Sequence, residues 1–144
     1  MRQGTRRLAT AFAAAALLLA GCGDAGDTTT TTADGPPVSF GEGEIPPGVP
    51  DDFPFPPQAV IGSTLVDRNN GRIEVEFRVR AAAVELVAFY DQALPAAGYE
   101  ITATVEGDPL TTLEFAHPGG LEGKVVISFV DAGLARAVAE FVGI

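Results

Sequence analysis

At 144 residues the chain has room for one domain with an address segment and a tether, and its 47 % hydrophobic content supplies an apolar core. Nine basic residues face nineteen acidic ones, a net charge of −10, which lacks the basic footprint needed for nucleic-acid binding or for charge-driven adhesion to anionic lipid. The single Cys excludes an internal disulfide, and one His with no Trp leaves little from which to build a His-based metal site or a stacking platform.

Met1 to Arg7 is basic through Arg2, Arg6 and Arg7, and Leu8 to Ala20 is an Ala/Leu run interrupted only by Thr10. A charged start, a short apolar stretch and a small-residue exit make a signal-peptide architecture. The apolar run is about a dozen residues, short of the ~20 that a membrane-spanning helix needs. It closes on Leu19-Ala20-Gly21-Cys22, which resembles the lipobox of bacterial lipoproteins. The resemblance covers only this first part of the chain. It implies that a dedicated peptidase recognises Leu19, Ala20 and Gly21, that residues 1–21 are removed, and that the Cys22 thiol is joined to diacylglycerol. It also implies a protein held by that lipid on the outer, non-cytoplasmic face of the cell membrane. Two or more acyl chains at ~0.8 kcal/mol per buried CH₂ make such an anchor firm. A chain starting at Cys22 keeps six basic residues against nineteen acidic ones, a charge of −13.

Residues 22–45 read as an acidic tether rich in Thr, Pro and Gly. Asp24, Asp27, Asp34, the run Thr28 to Thr32 and Gly41-Glu42-Gly43-Glu44 show no apolar periodicity, and such composition favours disorder. The Thr run offers hydroxyls for O-linked sugars or serves as a plain spacer. Glu42, Glu44, Asp51 and Asp52 lack the ligand spacing of a calcium loop. Residues 46–144 read as a single domain. Its opening stretch, Ile45-Pro46-Pro47-Gly48-Val49-Pro50 and then Phe53-Pro54-Phe55-Pro56-Pro57, is extended by proline. Phe53 and Phe55 either form an interaction surface or plug into the edge of the domain's own core.

Gln58 to Asp67 and Arg72 to Arg80 read as a β-hairpin about Asn70-Gly71, with Ile73, Val75, Phe77 and Val79 on one face. A two-residue loop sets Val66 opposite Val75, and a three-residue loop sets Leu65 there. Glu74, Glu76, Arg78 and Arg80 read as a solvated face with small ion-pair gains. Ala82 to Leu94 has helical spacing at Leu86, Phe89, Tyr90 and Ala93, without a side-chain N-cap. Pro95 is expected to end or tighten it, and Gly98 fits the left-handed C′ position with Tyr99 packing back. Glu100 to Glu106 (Ile101, Ala103 and Val105 inward), Leu110 to Ala116 and Lys124 to Val130 read as strands. Leu134 to Val142 is ambiguous and is taken as a strand, because a central Lys124 to Val130 needs a neighbour on each side. The expected fold is α+β: a small antiparallel sheet of five to six strands in ββαβββ order, with one helix on one face.

No constellation carries chemistry, so no catalytic residue is assigned. His117, in Ala116-His117-Pro118-Gly119-Gly120, reads as a solvent-exposed strand exit without partners. Ser39, Ser63 and Ser128 lack a nucleophile context, and Gly119-Gly120 does not open a helix. Neither cofactor nor metal is expected. The resulting reading is a membrane-anchored surface lipoprotein with a small non-catalytic domain that binds a ligand or envelope partner, or serves an envelope-structural role. The alternative is a lipoprotein of a transport or transfer system that captures a lipid or small ligand, with a cavity between helix and sheet able to hold an apolar one. A third reading, a small hydrolase, would rest on His117.

Overall fold

The computed structural model describes residues 36–131 and 133–143. The lipobox-like Leu19 to Cys22 and the Thr28 to Thr32 run lie outside the described residues. Seven strands and one helix follow in the order β1 (Val38–Glu42), β2 (Val60–Asp67), β3 (Arg72–Val79), α1 (Ala83–Ala96), β4 (Glu100–Val105), β5 (Leu110–Ala116), β6 (Glu122–Asp131) and β7 (Leu134–Val142). They form one sheet in the spatial order β1-β2-β3-β7-β6-β5-β4, antiparallel at every joint. The α+β class and the single helix agree with the alternation in the sequence. The strand count and the order do not: among the described residues there are seven strands in βββαββββ order, not five to six in ββαβββ order.

Period-two patterning divides the sheet into two faces. The inner face carries Ile73, Val75, Phe77 and Val79 of β3, Ala135, Ala137, Ala139 and Phe141 of β7, Val125 and Ile127 of β6, and Leu113 and Phe115 of β5, all buried. The three alanines keep the centre of this face low, and α1 packs above the β4–β7 side with Leu86, Tyr90 and Leu94 turned inward. Those positions recur every four residues, the stripe that a helix presents to one neighbour. On the outer face lie the charged residues. Arg136 reaches the Glu76 carboxylate at 2.8 Å, Lys124 pairs with Glu140 at 3.4 Å, and Arg72 pairs with Glu74 at 3.3 Å. The hydrogen bond from Arg136 and a second from the Ser63 hydroxyl hold the Glu76 carboxyl below the usual carboxylate range, against the opposing effect of its partial burial.

Four local expectations are corrected. First, Val38–Glu42 lies within the stretch read as disordered tether, yet it pairs along β2 from Val38↔Asp67 to Glu42↔Ser63. Its Val-Ser-Phe core is too short to signal a strand, and the backbone of β2 supplies the reason to form one. Second, the hairpin has neither expected register, since Thr64 faces Val75 and Asp67 faces Arg72. The Asp67 carboxylate accepts hydrogen bonds from the Asn69 and Asn70 backbone N–H groups and from Asn70 Nδ2. This closes a longer loop in which Gly71 takes the positive φ of 57°. Third, a bulge between Ile101 and Ala103 reverses the facing of β4, so that Ala103 pairs with Glu114 and Val105 with Thr112 on the outer side. Fourth, α1 runs through Pro95 to Ala96. Pro95 sits in the last turn, where its missing N–H costs one bond. Gly98, at φ 90°, then donates to the Pro95 carbonyl and Tyr99 N–H donates to the Leu94 carbonyl. At the other end, Glu85 supplies the capping contact the sequence lacked, its Oε2 accepting from Ala82 N–H at 2.8 Å. Leu134 to Val142 forms a strand as expected, with β6 and β3 as neighbours.

Candidate functional site

The helix covers only part of the inner face, and the chain between β1 and β2 covers more. Six prolines between residues 46 and 57 keep this strap extended and deprive it of donors, so it forms local turns (Phe53 N–H to the Pro50 carbonyl, Ala59 N–H to the Pro56 carbonyl) and no sheet ladder. The strap sends Phe53 inward. The Phe53 ring, 5 % exposed, lies at centroid distances of 4.8 Å from Phe141, 5.1 Å from Phe55, 5.5 Å from Phe115, 5.9 Å from Tyr99 and 6.1 Å from Tyr90. Phe55, half-buried, meets Phe77 of β3 edge-on at 5.6 Å. Both rings are therefore seated within their own domain and do not form an outward surface. Room for this cluster is made by Gly123. A Cβ there would fall onto the Glu140 carbonyl oxygen and 2.5 Å from Phe115 Cζ.

The polar fastening of the strap is small and lies at its outer edge. Tyr99 Oη donates to Asp52 Oδ1 at 2.9 Å, and His117 Nε2 stands 4.0 Å from Asp52 Oδ2. Gly119 N–H donates to His117 Nδ1. The His117 ring also lies against Tyr99, centroids 4.9 Å apart and planes tilted by 55°, so it is half-buried against the strap and not free at a strand exit. Burial first, then the bond to Asp52 and the carboxylate's charge, push the Tyr99 hydroxyl well above the ordinary tyrosine range.

Deeper inside, Tyr90 is fully buried on α1, and its hydroxyl has no hydrogen-bond partner among the described residues. Burial alone drives its pKa upward, so it stays a neutral donor. Leaving such a group unpaired costs about 1–3 kcal/mol. At the opposite end, where α1 begins and the β4–β5 turn lies, an open depression of about 480 Å³ is lined by Ala83, Val84, Val87, Glu106, Gly107 and Thr111.

Other residues singled out in the sequence are not brought together. Ser63 gives its hydroxyl to Glu76 and Ser128 gives its hydroxyl to the Arg136 carbonyl, while the polar neighbours of His117 are Asp52 and Gly119. Among the described residues, no group of three or more His, Cys, Asp or Glu side chains is placed to hold a metal ion, and no helix is long and apolar enough to cross a membrane. Sequence reasoning named Asp52, Tyr90 and Tyr99 but gave none of them a place in a site. Tyr90 reads as one more member of an apolar stripe, and nothing in a linear pattern reveals that its hydroxyl finds no partner.

Fold and site together define a one-helix, antiparallel-sheet domain with an apolar interior closed by an N-terminal strap. The chain belongs to the START domain-like family, whose match spans residues 60–134. The strap and β1 precede that segment. No curated protein and no solved structure gives a significant match.

Proposed function

We propose that this chain is a lipid-anchored surface protein whose domain is a non-enzymatic module that binds an apolar ligand between α1 and the inner sheet face. One observation carries the reading: the centre of that interior is filled by Phe53, from a segment outside the regular elements. Membership in the START domain-like family, whose domains are typically ligand-binding, supports it further. The Leu19 to Cys22 motif supports the anchor.

The binding half is tested by thermal unfolding of the full-length protein with and without a long-chain alcohol. A ligand present at a hundred times its Kd stabilises by about 2.7 kcal/mol, so the midpoint should rise; an unmoved midpoint across a homologous series of chain lengths would count against it. The anchoring half is tested by Cys22→Ser, which should move the protein from the membrane to the soluble fraction or leave it uncleaved. Membrane retention of a processed C22S protein would refute it.

A further inference from the structure

Resting on that reading, we propose that Phe53 is a displaceable plug. A neutral long-chain ligand ending in one hydrogen-bond acceptor takes the seat of its ring and accepts the Tyr90 hydroxyl proton in a hydrogen bond, while the strap swings out.

Three observations converge. The strap is fastened by few polar contacts, with Asp52 bonded to Tyr99 and near His117 at the outer edge. It carries one left-handed residue near its start, Gly48 (φ 102°), and is followed by another, Gln58 (φ 64°). For a non-glycine residue such as Gln58 that conformation is strained, and release of the strap relieves it. Next, the orphaned Tyr90 hydroxyl lies in the core that Phe53 fills, its ring 6.1 Å from the Phe53 ring. It is a donor without an acceptor, and the acceptor end of a ligand would supply what the protein lacks. Finally, charge decides the ligand class. Arg72, Arg78, Lys124 and Arg136 engage Glu74, Glu76 and Glu140 on the outer face. Among the described residues the inner face carries no cation to pair with a carboxylate or phosphate, and an unpaired anion there would be prohibitively costly. An alcohol, ester or ketone on an apolar chain fits, and a fatty-acid anion does not.

The test uses the full-length protein in membranes and three photoreactive probes with a mid-chain diazirine: hexadecanol, hexadecane and hexadecanoate. Cross-linked positions are mapped by mass spectrometry. The proposal expects labelling of inner positions on α1 and β7, strongest with the alcohol and weakest with the acid at pH 8. Asp52→Ala and Tyr99→Phe, which loosen the fastening, should raise labelling severalfold, and Phe53→Ala about tenfold, because each enlarges the fraction of binding-competent molecules. Tyr90→Phe should abolish the preference for alcohol over alkane. Should Phe53→Ala fail to fold, the two fastening variants decide. Inner labelling that ignores all three strap substitutions overturns the plug while leaving an interior binding site. Strongest labelling by the acid overturns the neutral class. A complete lack of inner labelling in every variant defeats the binding reading itself.

Discussion

Tyr90 and Tyr99, the two tyrosines of the chain, sit on the same aromatic cluster but answer to different surroundings. Tyr99 spends its hydroxyl on Asp52, while Tyr90 has no partner among the described residues. Burial raises both pKa values above the ordinary ~10 of tyrosine. An acid whose folded pKa is raised contributes its full stability below the unfolded value. As pH climbs past that value the unfolded chain releases its phenolic protons while the folded protein retains them, so stability falls. Urea midpoints should therefore decline between pH 9 and pH 11, and Tyr90→Phe should flatten that decline without lowering the midpoint at pH 7. An identical alkaline decline in Y90F would contradict the assignment of an unpaired, neutral hydroxyl.

At the scale of elements, the sheet is governed by what its central strands allow. β6 lies between β5 and β7, and Gly123 at its start leaves the space over which the Phe115 ring lies. Gly123→Ala forces that ring or the β7 backbone to move, and should cost about 1–3 kcal/mol by overpacking. The check is a denaturation midpoint, and an unchanged value would mean the Phe115–Phe141 cluster yields freely. Much of the element level was legible from residues alone. The alternation from Ile73 to Val79, the i, i+4 stripe of α1 and the Gly98 closure each express a periodicity or a backbone requirement contained in a few neighbouring residues. What escaped depended on partners far away in the chain. Val38–Glu42 becomes a strand only because β2 offers an edge, the hairpin register depends on the Asp67 side chain, and the β4 bulge reverses Ala103 and Val105 with no mark in the sequence. Phe53 was visible as a candidate plug, but its place at the centre of five aromatic rings was not.

At the scale of the molecule, charge and apolarity among the described residues are separated by the sheet. The outer face holds paired charges, which contribute little to stability when solvent-exposed, and the inner face holds the apolar interior beneath helix and strap. With a lipidated Cys22, such a domain would stand near a bilayer, where neutral apolar ligands are abundant. The most direct measurement is native mass spectrometry of the full-length protein released gently from its own membrane. The account predicts one noncovalent, neutral, chain-bearing molecule per protein in addition to the proposed lipid on Cys22, lost in Phe77→Asp, which sets a charge on the inner face, and retained in Phe40→Ser, which changes an exposed ring beside the outer face. A protein that carries no such noncovalent molecule under every release condition, or an adduct lost in F40S and kept in a folded F77D, would contradict it.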